Sequence, residues 1–151
     1  MPPTIQKNVE AERRKMANNA TVFQHRERVA IADVNAGFTV LPAVPGYKYR
    51  LVDAALIAIG GAVGATTTVD ILGTQATASV KLLAAAIAAL TQNTLLRAGA
   101  TNATILAAGA SFVENDVNTA ITIGKTGATA TTATHVDVLL SYVLVPARSG
   151  A

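Results

Sequence analysis

From Thr21 onward the chain is written in short apolar runs rich in β-branched residues, separated by Gly, Pro, Asn and Thr. That texture belongs to an all-β sandwich or barrel. The runs predict strands near Val22–Ala32, Phe38–Leu41, Tyr47–Ile59, Thr66–Leu72, Ser79–Leu90, Thr94–Arg97, Thr104–Ala107, Ala120–Ile123 and His135–Leu144. Roughly eight or nine strands is the number a jelly roll uses. Alternation is clearest in Thr66-Thr67-Thr68-Val69-Asp70-Ile71-Leu72 and in Thr119-Ala120-Ile121-Thr122-Ile123, which read as half-buried strands. The last run, His135 to Val145, is apolar on both faces towards its end, as in a central strand or one covered by a neighbouring subunit, and Pro146 stops it.

One segment answers to two periods. In Ser79–Leu90, Val80, Leu83, Ile87 and Leu90 also fit a helical stripe, and Ala and Leu are strong helix formers. Flanking turn signals and the β pattern around it favour a strand. Pro42-Ala43-Val44-Pro45-Gly46 reads as a rigid turn, with Gly46 free to take a positive φ. Gly60-Gly61-Ala62-Val63-Gly64 and Gly124-Lys125-Thr126-Gly127 read as loops.

The first twenty residues are a different material. Their sizeable apolar residues are Ile5, Val9 and Met16, and Glu10 and Arg14 stand at a helical i,i+4 spacing. The expected organisation is an extended or partly helical N-terminal arm over residues 1–20 and a jelly-roll-like β-sandwich domain over residues 21–151. Met1-Pro2-Pro3-Thr4 runs into polar sequence where a secretory leader would need an apolar core, so Sec-type secretion is not expected. The most apolar stretch, Val80–Leu90, is far shorter than the roughly 20 residues of a membrane-spanning helix, so no membrane association is expected.

Composition sharpens this picture in one respect. Apolar residues make up 51% of the chain and charged residues only 14%, against about 25% charged in ordinary soluble domains. So few charges leave much apolar surface for a monomer to expose, which points to self-association or to a coat-like assembly. With no Cys, disulfides and thiolate chemistry are excluded. Aromatic residues supply only 4%, so the apolar content suits close-packed sheets better than a deep aromatic pocket.

Candidate chemistry is sparse. His25 and His135 lie far apart in sequence, and neither stands at metal-ligand spacing from other acids or histidines. His135 and Asp137 fall on one strand face, where a surface pair accounts for them more simply than a catalytic dyad. Gly124-Lys125-Thr126 has the ending of a phosphate loop, but no glycine stands at the place of the motif's first one. Glu114 and Asp116 flank Asn115 and could meet a calcium ion; a solvated turn is the simpler reading. Tyr47 and Tyr49 alternate with Lys48 and Arg50, giving either a sugar-binding patch or a core-facing pair beside a solvated one. Catalytic residues, cofactors and metals are therefore not expected.

Half of the twelve basic residues, Lys7, Arg13, Arg14, Lys15, Arg26 and Arg28, lie in the first 28 positions. Glu10, Glu12 and Glu27 offset them, no aromatic interleaves the run, and the net charge is only +3, so nucleic acid is not an expected partner. An arm lying on a partner protein is the better reading, with Ile5, Val9, Arg13, Arg14 and Lys15 as its contact residues.

Four segments carry a family likeness: Phe38-Thr39-Val40-Leu41-Pro42, Tyr47-Lys48-Tyr49-Arg50-Leu51-Val52-Asp53-Ala54, Thr68-Val69-Asp70-Ile71-Leu72-Gly73 and Val136-Asp137-Val138-Leu139-Leu140-Ser141-Tyr142. In strand order and small-residue texture, residues 37–145 are similar to head decoration, or cement, proteins of tailed bacteriophages. The resemblance implies a β-sandwich that forms a homotrimer on the outside of the capsid and clamps neighbouring copies of the major capsid protein. Such a protein is made in the host cytoplasm, resides in the virion and has no active site. Two other roles compete: a tail or fibre component with a receptor- or sugar-binding function, and a small hydrolase or lyase that draws His25 or His135 together with distant acids.

Overall fold

The computed structural model describes residues 21–147. Nine strands form two antiparallel sheets: β1 (Phe23–Ala30), β2 (Phe38–Leu41), β3 (Tyr47–Ile59), β4 (Val63–Gln75), β5 (Ala78–Ala86), β6 (Leu95–Arg97), β7 (Ala103–Ile105), β8 (Ile121–Thr132) and β9 (His135–Pro146). A short helix, α1 (Ile31–Ala36), and a 3₁₀ turn at Ala107–Phe112 complete the elements. One sheet has the order β1-β9-β3-β6 and the other β2-β8-β4-β5-β7. No helix among the described residues is long and apolar enough to cross a membrane.

The pairings nest. β4 pairs with β5, β3 with β6, β2 with β8 and β1 with β9, as though one long hairpin were bent at the β4–β5 turn. Rolling that ribbon up brings β9 against β3 and β8 against β4, closing the sheets. This is the wrapping of a jelly roll, with β7 added on the outer edge of β5.

The core lies between the sheets. Leu56, Val136, Val138 and Leu140 from the four-stranded sheet meet Val69, Ile71, Leu83, Ile121 and Ile123 from the five-stranded one. It is aliphatic apart from Tyr49, whose ring Tyr142 meets edge-on while Phe23 stacks on Tyr142. The Tyr49 hydroxyl donates to the Pro42 carbonyl at 2.6 Å, so its polar end is satisfied where the ring is buried.

Several expected boundaries move, each for a local reason. The first strand stops at Ala30, and Ile31–Ala36 turns into α1, closed by Gly37 at φ +87°. Val34 plugs the sandwich end, while the Asn35 amide exchanges two hydrogen bonds with the backbone of Ala130. Six residues are too few for a helical period to show in sequence. The Ser79–Leu90 segment is a strand as far as Ala86. The register shift opposite Ile71 and Leu72 leaves Leu82 without a partner, so consecutive Leu82 and Leu83 are both buried. That bulge breaks the period of two and produces the helix-like stripe.

The segment Gly124–Gly127 is not a loop. It lies inside β8, where the ladder with β4 is irregular and Gly127 takes φ +95° against the Thr67 backbone. A bulge and a turn ask for the same glycine, and sequence alone does not distinguish them. Likewise Val63 and Gly64 belong to β4, leaving Gly60 and Gly61 as the turn.

Candidate functional site

The residues of greatest chemical interest fall on the outer face of the four-stranded sheet. Arg26 and Arg28 stand two apart on β1 and so share a face, and the register sets Arg28 directly opposite Asp137 of β9. Arg28 donates from Nε to Oδ1 at 2.7 Å and from Nη2 to Oδ2 at 3.0 Å, and Arg26 donates from Nη2 to Oδ2 at 2.6 Å. The Asp137 side chain is 0% exposed, although this is the outer face, because the two arginines cover it.

Those contacts set its ionisation. Hydrogen bonding from Arg28 outweighs the cost of burial, Arg26 adds to it, and the Asp137 pKa falls to about 2. A carboxylate with a lowered pKa stabilises the fold above its unfolded value and loses that contribution as pH falls through the folded one. From 3.8 to about 2 the linkage amounts to roughly 2 kcal/mol. Chemical denaturation between pH 5 and 2 is therefore expected to show a decline concentrated below about pH 4, which Asp137→Asn removes. An unchanged slope in that variant would assign the acid sensitivity to other groups.

Farther along the same face, Arg97 of β6 donates from Nε to Asp53 Oδ2 at 2.8 Å. Asp53 follows the bulge in β3 at Val52, and its other oxygen accepts from the Ala54 amide. Between the two arginine–aspartate clusters lies a shallow groove of about 420 Å³, lined by Gln24, His25, Arg26, Asp53, Ala55, Leu95, Arg97, Leu139 and Ser141. Leu95 is 55% exposed there. The arrangement provides a firm apolar strip between anchored cations, suited to holding a surface or a peptide.

The five-stranded sheet repeats the device. Asp70 is buried on its outer face and accepts from Thr68 at 2.7 Å and Thr126 at 2.6 Å, with Lys81 above it at 3.4 Å. Thr126 of the phosphate-loop-like segment is thus a strand residue engaged with Asp70, and Lys125 bonds the Gly127 carbonyl.

The histidines stay apart. His25 bonds Glu27 at 3.0 Å and His135 bonds Thr134 at 3.0 Å, so Asp137 is a partner of arginines and not of His135. Across the β1–β9 ladder, His25 faces Leu140, five residues from His135, roughly 17 Å along the strand.

Glu114 and Asp116 also part company: Glu114 lies 3.4 Å from Lys48, while Asp116 accepts from the Ala76 and Thr77 amides and ties down the β4–β5 turn. Asn115 between them is not solvated. It is 2% exposed, packs where a side chain at Gly73 would stand, and accepts from Gln75. Among the described residues no group of three or more His, Asp or Glu side chains could hold a metal ion.

Tyr47 and Tyr49 separate as well, at 40% and 3% exposed, so a sugar-binding patch would have Tyr47 alone. The arm residues Ile5, Val9, Arg13, Arg14 and Lys15 lie outside the described residues. Sequence reasoning missed the Arg26/Arg28/Asp137 cluster. Its one available signal was a basic pair at strand spacing together with an acid in an otherwise apolar strand. No protein-family model, curated protein or solved structure matches the chain.

Proposed function

We propose that this chain is a structural protein of a tailed-bacteriophage particle, a head decoration protein that binds the exterior of the capsid and stabilises the shell as a homotrimer. The observation that supports it best is the outer face of the four-stranded sheet. The charged side chains bordering its groove fasten one another, Arg26 and Arg28 to Asp137 and Arg97 to Asp53, while Leu95 and Val52 stay exposed beside them. Fixed charges around exposed apolar groups suit a surface that another protein covers, because little side-chain entropy remains to be lost on contact. The low charge content of the whole chain accords with such coverage.

The buried acids accord with a non-enzymatic role. Asp70 and Asp137 serve as anchors inside sheets, held by neighbours that neutralise them. The arm, in this reading, adds weak contacts that multiply through the trimer. Light scattering of the full chain and of a chain lacking residues 1–20 is expected to give a trimer mass for both. Only the full chain is expected to sediment with shells assembled from the major capsid protein of the same virus, with binding at least about 100-fold tighter than the truncated one. A monomer in both samples, or equal binding by both, would overturn the reading.

The exposure of Tyr47 beside Lys48 favours a second role, in a tail or fibre with a sugar-binding face. Retention on a glycan array that is lost in Tyr47→Ala, with no binding to shells, would establish that role instead.

A further inference from the structure

We infer that the free edge of β1 is a docking edge for an extended, acidic segment of a partner protein, which adds a strand to the four-stranded sheet there. The two sheets end in four edge strands, and three of them, β2, β6 and β7, run for only four, three and three residues. β1 runs for eight. A short edge offers too little ladder for a foreign strand to pair with, whereas a long one is a ready template.

The register shows which backbone groups are on offer. β1 pairs with β9 without a shift, from Phe23 opposite Tyr142 to Ala30 opposite His135, and the ladder continues in the bond from the Ile31 amide to the Thr134 carbonyl at 3.0 Å. Opposed residues of an antiparallel ladder exchange hydrogen bonds at every second pair. By that alternation Phe23, His25, Glu27 and Val29 bond to β9, while the amides and carbonyls of Gln24, Arg26 and Arg28 point away from it. Among the described residues no strand pairs with that side.

The side chains select what the added strand carries. Arg26 and Arg28 share the single carboxylate of Asp137, so the outer side of this edge keeps one net positive charge. On the inner side Phe23 is 44% exposed. A strand that alternates acids on the outer side with apolar residues on the inner one answers both, because opposed side chains on one face stand about 5 Å apart. A second copy of β1 does not. With both sheets facing the same way, the two antiparallel registers of greatest overlap set arginine against arginine, and like charges directly opposite are destabilising. The contact lies in the plane of the sheet and rests on the ladder alone, so it stands or falls separately from the assignment to a virus particle.

Amide hydrogen exchange of the full-length protein in dilute solution reads this edge directly. The free protein is expected to exchange the Gln24, Arg26 and Arg28 amides at least about tenfold faster than those of His25, Glu27 and Val29. A blocked heptapeptide of alternating valine and glutamate is expected to slow the fast amides at least about tenfold. It is expected to bind at least about tenfold more tightly than the same peptide with lysine for glutamate, and to lose its effect when its backbone nitrogens are methylated. Slow exchange at Gln24, Arg26 and Arg28 without peptide would overturn the inference, giving the edge to another segment of the chain or, where protection deepens with protein concentration, to a second copy. No slowing by the peptide, or equal action of the lysine or methylated peptide, would overturn it too, because the contact would then lack its charge or its ladder.

Discussion

Replacing Arg26 and Arg28 together by methionine is expected to destabilise the protein clearly at pH 7, because a carboxylate with no exposed surface is stripped of both its cations. Methionine keeps an apolar stem over the carboxylate, so Asp137 remains under cover while all three of its arginine hydrogen bonds disappear. Arg26→Met alone is expected to cost much less, because the two bonds from Arg28 remain. In the double variant the sign of the linkage reverses. With no cation nearby, burial raises the Asp137 pKa, so the deficit shrinks as pH falls and the carboxyl becomes neutral. A third change, Asp137→Leu, is expected to restore most of the stability, since an apolar group of similar size has no charge to strand. Urea unfolding of the four proteins measures this. A double variant within about 1 kcal/mol of the parent would mean that water reaches the carboxylate.

Ile71→Ala is expected to cost about 2–5 kcal/mol, the range for deleting a large aliphatic side chain from a packed core. Ile71 is 0% exposed and sits between Ile123 of β8 and Leu83 of β5 in the ladder, both also fully buried. Three aliphatic side chains in a row across three strands leave no flexible neighbour to fill the space. The variant is expected to melt roughly 10 °C lower by calorimetry, a large part of the stability that a domain of this size possesses. A surface change such as Lys48→Ala, which removes only an exposed pair with Glu114, is expected to stay within about 1 kcal/mol. If Ile71→Ala were as mild as that, the sandwich would be able to collapse around the gap.

The two substitutions differ in how legible their sites are in the sequence. Ile71 stands in the clearest alternating run of the chain, and its burial follows from the period of two once one face is apolar. Asp137 stands in a run of valines and leucines where an acid has no local explanation. Its cations lie 109 and 111 residues earlier, and only the β1–β9 register brings them to it. Asn115 teaches the same point in reverse. Its neighbours Glu114 and Asp116 give it the appearance of a solvated turn, yet the absence of a side chain at Gly73 opens the space that buries it.

The amino-acid pattern by itself determined that this is an all-β chain, where most strands run, and that its core is aliphatic, because alternation and β-branching act between neighbours in sequence and need no knowledge of what lies opposite. The tertiary structure decided whether Gly124–Gly127 is a turn or a bulge, where β5 breaks its period, and which arginines lie over which aspartate. Each of these depends on the register between strands distant in sequence, and register is set by how the whole ribbon rolls up, which no local window contains.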